Sequence, residues 1–236
     1  MRFNKLSPIA LTTTMALGGL VAMTGTANAE MSATATVANF YLWRGLDVSA
    51  GAAQVAGSLD YSHDSGLYAG VWASSVWGSD VNGPIGYAGP ETDLYIGFAG
   101  EIAGLGYDVS VWEYLYNEDN ALVGGDYSDS DLSEFVAKLS YASVGLGVYF
   151  GNDAAGGADY EYVTLDYTYG DFNILYGTWM IDAPAADESS HLTLAYSVTD
   201  NFTFTVTKGM QDTIGSAYDE DILVHIAYSL PIDMKK

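Results

Sequence analysis

Six carboxylates recur on one parity of alternating stretches: Asp60, Asp93, Glu101, Asp108, Glu134 and Asp166. Their same-parity neighbours are small or polar, as with Ser58 before Asp60, Ser110 after Asp108, and Thr164 and Thr168 around Asp166. Lys138 is the basic residue that falls cleanly in this set, and Arg44 and Lys208 fall near segment ends. Carboxylates around a narrow aqueous passage favour cations and disfavour anions. His225 shares the polar parity, so Asp60, Asp93, Glu101, Asp108, Glu134, Lys138, Asp166 and His225 are the candidate pore-lining residues.

The other chemistry these types could carry is hydrolysis, which needs a nucleophile, a base and an orienting group in mutual reach. The histidines are His63, His191 and His225. His63 sits in a predicted turn, and His191 follows Ser189 and Ser190 near a loop. None stands in a recognised catalytic motif, so no catalytic residue is assigned. A Ser–His pair at His191 is the form an outer-membrane hydrolase would take. Acidic residues also crowd the expected loops, among them Asp80, Glu118, Asp126, Asp129, Asp187 and Glu220. Ca²⁺ or Mg²⁺ could be held there, but no loop has the fixed ligand spacing and central Gly of an EF-hand. These loops read as solvated acidic segments, with no metal site and no cofactor assigned.

Strands must position these residues. Period-2 alternation runs from Ser32 to Leu230 and divides into twelve segments. They are 32–43, 51–63, 66–77, 91–102, 104–117, 131–141, 144–151, 160–169, 172–180, 189–198, 201–208 and 220–230. Most have about ten residues, the length a tilted strand needs to cross a bilayer. Short turns fall at residues 63–66, 103–104, 142–143, 170–171 and 199–201. Long loops fall at 44–50, 78–90, 118–130, 152–159, 181–188 and 209–219. Short and long connections alternate strictly, as in outer-membrane barrels with short periplasmic turns and longer extracellular loops.

The second parity is apolar or aromatic, as in Leu94, Ile96, Phe98 and in Leu192, Leu194, Tyr196. Alternation alone would also suit a soluble barrel with this set inside. Glycines on the polar parity (Gly70, Gly97, Gly145, Gly147, Gly177) suit a crowded interior. Aromatics on the apolar parity gather beside the short turns: Tyr61, Phe98, Tyr107, Tyr141, Tyr169, Phe172, Tyr196, Phe202 and Tyr228. That is the position of an interfacial girdle. Twelve strands also enclose a lumen wide for an apolar core. The apolar set is therefore expected to face lipid. Glu113 falls on the outward parity, and a charge at mid-membrane would cost a few kcal/mol. It is expected near the outer interface or after a β-bulge. The first segment leaves its lipid face open, since Val37, Tyr41 and Trp43 oppose Phe40 and Leu42.

Arg2 and Lys5 precede an apolar stretch, and Ala27-Asn28-Ala29 supplies the small residues of a signal-peptidase site. Residues 1–29 are expected to be a signal peptide, and residues 30–236 the barrel. Without Arg2 and Lys5 the 7 basic residues become 5 against 30 acidic ones, and the net charge goes from −23 to −25. Such a chain would repel phosphate, which argues against nucleic acid. With no cysteine, disulfides and thiolate metal sites are ruled out.

Several stretches carry a family resemblance. They are Asn39-Phe40-Tyr41-Leu42-Trp43-Arg44-Gly45, Gly57-Ser58-Leu59-Asp60-Tyr61-Ser62-His63, Gly66-Leu67-Tyr68-Ala69-Gly70-Val71-Trp72-Ala73-Ser74-Ser75-Val76 and Glu91-Thr92-Asp93-Leu94-Tyr95-Ile96-Gly97. Over roughly residues 37–115 the chain resembles the TorF-like porin family of proteobacteria. The resemblance implies an outer-membrane location and a channel role. A terminal aromatic residue is usual in such barrels. Here the last strand reads as ending at Leu230, and Pro231 to Lys236 follow without one.

The expected fold class is therefore all-β: an up-and-down antiparallel transmembrane β-barrel of about twelve strands after an N-terminal signal peptide. The expected function is a narrow, water-filled, cation-preferring porin of a Gram-negative outer membrane. A non-conducting structural barrel is the alternative, and a hydrolase a more distant one. Expected partners are outer-membrane lipid and lipopolysaccharide, small solutes and the barrel-assembly machinery, with a homo-oligomer left open and no nucleic acid.

Overall fold

Alternating side chains, paired strand by strand, close on themselves. The computed structural model describes residues 29–75, 90–116, 132–152, 159–181, 189–211 and 222–234. The described residues form fourteen strands: β1 (Glu30–Ala38), β2 (Leu42–Trp43), β3 (Leu46–Asp47), β4 (Gln54–Ser62), β5 (Leu67–Ser74), β6 (Glu91–Ile102) and β7 (Leu105–Tyr116); then β8 (Leu132–Tyr141), β9 (Val144–Asn152), β10 (Tyr160–Tyr169), β11 (Phe172–Ile181), β12 (Ser189–Ser197), β13 (Phe202–Gln211) and β14 (Leu223–Asp233). Twelve of them form a closed antiparallel barrel in chain order, and β2 and β3 make a separate hairpin. Closure is made by β1, which pairs β4 on one side and β14 on the other. With no free edge, the backbone groups of the wall are satisfied without water.

Short turns gather at one end. At the β6–β7 turn, Ala103 and Gly104 both take positive φ (54° and 83°), the conformation that matches strand twist in a two-residue hairpin. Both ends of the barrel chain lie at this rim, since Ser32 pairs Asp233 and Glu30 pairs Ser62. The long connections leave from the opposite end.

The apolar parity points outward. Leu59, Leu94, Ile96, Val111, Phe135, Leu165, Ile174, Leu194, Val224 and Ile226 are all exposed on the outer surface. A continuous apolar belt that no other described residue covers is a lipid-facing surface. Beside the short turns this belt carries aromatic rings, with Phe98 stacked on Tyr107 and Phe172 on Tyr196. Polar, small and aromatic residues line the inside.

Two expectations change, at the ends of the first and last strands, and two points left open are decided. The first strand ends at Ala38 rather than at residue 43, and residues 39–53 turn into the barrel. The Asn39 side chain ends the ladder by accepting from the Ile226 amide (2.8 Å) and donating to the Val224 carbonyl (2.9 Å). The lipid face of β1 is settled, since Met31 and Val37 are exposed while Thr36 and Ala38 are buried. Glu113 lies near the long-loop rim in an unshifted β6–β7 register, so no bulge is involved. β14 continues past Leu230 to Asp233 and includes Pro231. Ser229, of the same parity, directs its N–H and C=O to Asn201 rather than to β1. Pro231 therefore aims its missing N–H to the side where β13 has already turned away, a permitted place for proline.

Residues 1–28 of the expected signal peptide, and most of the acidic loop residues, lie outside the described residues. The outward assignment is testable. Leu165→Arg, at mid-strand and 53% exposed, should lower the urea-unfolding free energy of the vesicle-inserted protein by about 2–4 kcal/mol.

Candidate functional site

Residues 39–53, between β1 and β4, form a compact insert in the long-loop half of the lumen. Its tip is the β2–β3 hairpin, with Leu42 opposite Asp47 and Trp43 opposite Leu46. The two residues between them, Arg44 and Gly45, have φ of 47° and 84°. Positive φ at both central positions defines a type I′ turn, for which Gly is suited at the second. At Gly45 a Cβ would lie 2.5 Å from Cγ of His191, so the tip touches the wall directly.

The insert is fastened to itself. Val48 N–H donates to the Tyr41 carbonyl (2.9 Å), and Tyr41 N–H donates to Ser49 Oγ (2.8 Å). Asp47 accepts from Ser49 N–H (2.9 Å) and Gly51 N–H (2.7 Å). Phe40 sets its edge against the His225 ring, with centroids 5.1 Å apart.

At the tip, Arg44 Nη2 donates to both oxygens of Glu134, at 2.5 and 2.7 Å. Tyr114 Oη donates to Glu134 Oε2 and Tyr160 Oη to Oε1, each at 2.7 Å. Glu134 is 1% exposed and Arg44 3% exposed. Each carboxylate oxygen thus receives two donors, which fills its lone-pair sites. The guanidinium carbon also lies 4.6 Å from the ring centroid of Tyr162, 4.7 Å from Tyr149 and 5.0 Å from Trp179. Such contacts strengthen when desolvated. Behind them His191 hydrogen-bonds Tyr162 through Nε2 (2.7 Å) and Thr193 through Nδ1 (3.0 Å).

The candidate residues fall into two tiers. Asp93, Glu134 and His225 belong to the long-loop half and are buried around the insert. Asp93 is 0% exposed, and among the described residues neither of its oxygens has a hydrogen-bond partner. It lies in register between Trp72 and Tyr114. Asp60, Asp108, Lys138 and Asp166 belong to the short-turn half. Ser58 Oγ donates to Asp60 (2.7 Å), and Tyr95 Oη donates to its other oxygen. Tyr68 Oη donates to Asp108 (2.8 Å), which stands opposite Lys138 on β8. Asn173 donates to Asp166 (3.2 Å). Glu101 follows the inward parity but sits exposed at the short-turn rim, apart from the others.

Arg44, expected near a rim, is instead buried in the lumen. Lys208 is exposed on the outer face near the long-loop end. The inner face is also more aromatic than its polar parity implied. Tyr95, Trp112, Tyr114, Tyr149, Tyr162 and Trp179 form one packed cluster with Val136 and Leu132. The signal was present as aromatics sharing parity with polar residues, as in Ser110-Val111-Trp112-Glu113-Tyr114. Glycines opposite the rings make the space, with Gly70 receiving Tyr95 and Gly97 receiving Tyr68. Among the described residues, no group of three His, Cys, Asp or Glu side chains is placed to hold a metal ion.

A closed wall with a lipid-facing belt, and a polar lumen holding its own inserted hairpin, defines a porin-like transmembrane β-barrel. The chain belongs to the family described as "Bacterial protein of unknown function (Gcw_chp)", which it matches over residues 22–181. No curated protein matches the sequence. Similar solved structures include the KdgM porin, at 7% identity and a TM-score of 0.45 over 88% of this chain and 100% of that one. A variant of the Rh. blastica porin has 12% identity and a TM-score of 0.40, over 87% and 100%. The outer membrane phospholipase A from Escherichia coli has 13% identity and a TM-score of 0.45, over 88% and 93%.

Two variants test the insert. Glu134→Gln leaves the buried guanidinium without its counter-charge and should cost about 3–5 kcal/mol in denaturant unfolding. Gly45→Ala places a side chain at positive φ against His191. It should cost at least about 1–3 kcal/mol by the same measurement.

Proposed function

We propose that this chain is a porin of a Gram-negative outer membrane, reached after removal of residues 1–29, that passes small solutes through a lumen narrowed by the residue 39–53 insert. The carrying observation is the two-tier interior. A short-turn half lined by Asp60, Asp108, Lys138 and Asp166 continues into a long-loop half occupied by the Arg44 hairpin. Twelve strands lie between barrels whose side chains fill the interior and those with wide channels, so an insert of this size sets the passage. The resemblance to TorF-like porins points the same way. Lipid and lipopolysaccharide would surround the outer belt, and the barrel-assembly machinery would insert it.

A cation preference belongs to this reading. Arg44 neutralises Glu134 and Asp93 is sealed from the lumen, yet Asp60, Asp108 and Asp166 remain on the inner face of the short-turn half with Lys138 as the opposing charge. The hydrolase alternative finds little support, because both ring nitrogens of His191 are engaged by Tyr162 and Thr193. The buried Arg44–Glu134 pair favours one second reading, a barrel held shut.

Planar-bilayer recording under a salt gradient separates these readings. Small conductance steps with a cation-sided reversal potential are expected. Replacing residues 42–47 with a flexible Gly/Ser segment of equal length should raise the step several-fold, since the tip would no longer be anchored at Glu134. Silence from both proteins would defeat the porin reading, and an anion-sided potential would defeat the preference.

A further inference from the structure

The groups around Arg44 come from two separable parts of the molecule. The guanidinium rides on the inserted hairpin. Its partners stand on five consecutive strands of the wall: Tyr114 on β7, Glu134 on β8, Tyr149 on β9, Tyr160 and Tyr162 on β10, and Trp179 on β11. Rigid strands hold these six residues, which supply the carboxylate and most of the aromatic surface of the site, while Trp43 of the insert adds one further ring 4.6 Å from the guanidinium carbon. Two phenol hydroxyls fix the carboxylate from the wall side, so its orientation does not depend on the arginine. The insert carries its own internal hydrogen bonds, which lets its tip be considered a tethered occupant.

We propose that the barrel wall carries a guanidinium-binding site, filled in this state by Arg44, and that small guanidinium compounds compete for it. The chemistry selects that class. A planar, delocalised, weakly hydrated cation can meet a carboxylate at its edge while its faces lie against aromatic rings. A compact, strongly hydrated ammonium suits such a box less well. No covalent step is involved, only exchange of one buried cation for another against Glu134. A tethered group competes at an effective concentration of roughly millimolar or above. A free ligand should therefore register weakly in the intact protein and clearly once Arg44 is removed.

The site needs the barrel but not conduction. A silent barrel that binds the ligand leaves the proposal standing, and a conducting barrel that does not bind removes the proposal alone. The test uses the full chain carrying Arg44→Ala, folded in detergent micelles and titrated with methylguanidinium chloride. Methylammonium chloride and sodium chloride at equal ionic strength are the comparisons. Tryptophan fluorescence, reporting on Trp179 beside the site, and the thermal unfolding midpoint are followed together. The expected result is a saturable fluorescence change and a raised midpoint with methylguanidinium, a weaker response to methylammonium and none to sodium. Both effects should be lost when Glu134→Gln is added to Arg44→Ala. If Arg44→Ala does not fold alone, folding yield on a heat-modifiable gel becomes the readout, and methylguanidinium should restore it. An absent or non-saturating response, an equal response to all three salts, a response that survives Glu134→Gln, or failure to restore folding would overturn the proposal.

Discussion

Everything in this molecule depends on closing one hydrogen-bond ladder, between β1 and β14. Until Ser32 to Ala38 pair with Ala227 to Asp233, the sheet has two open edges. Open edges of this length cannot be accommodated in hydrocarbon, where each unpaired backbone group costs several kcal/mol. Closure also fixes which parity is outside. Once the sheet is a cylinder, a one-residue slip in any strand would exchange its lipid-facing and lumen-facing sets. The uninterrupted registers from β4 to β11 show how firmly that exchange is resisted. The shift at Ser190/His191, in the β12–β13 pairing, falls where β12 meets the long-loop end.

The interior solves a different problem. A twelve-stranded wall leaves a lumen that its own side chains fill only where they are large. Nature of filling and depth go together here. Toward the short turns the lumen holds acids that accept hydrogen bonds from Ser, Tyr or Asn side chains. Toward the long loops it holds a packed aromatic cluster and a folded-in hairpin. The buried Arg44–Glu134 pair at their junction is weak evidence for net stability, since desolvating two charges offsets much of their attraction. Its consequence is positional. A guanidinium with one carboxylate to meet can settle at one depth and one angle, which holds a short insert in a single place. Asp93, buried nearby, has no hydrogen-bonding partner among the described residues, and its burial is a standing cost in the same half of the barrel.

Legibility in the sequence followed the range of the interaction. Strand positions and the outward set were readable because lipid exposure acts on every second residue, whatever its partner. Turn positions were readable because Ala103-Gly104 and Gly170-Asp171 interrupt that pattern with residues able to take positive φ. The end of β1 was not. Phe40 to Trp43 keep the alternation of a strand while folding into the lumen, and apolar residues are as acceptable against an aromatic interior as against lipid. Pro231 also concealed the end of β14, because its tolerance depends on where β13 turns away.

By itself the sequence determined an all-β barrel, its approximate strand number, its sorted loops and the inward parity of acids such as Asp60, Asp108 and Asp166, because each follows from local periodicity and turn chemistry. The tertiary structure alone decided that Arg44 leaves the rim to meet Glu134, 90 residues away in the chain, and that aromatic rings from neighbouring strands gather around it. Such a meeting depends on how far a loop reaches and on which strands stand opposite after closure. Those are properties of the closed cylinder, and no window of sequence contains them.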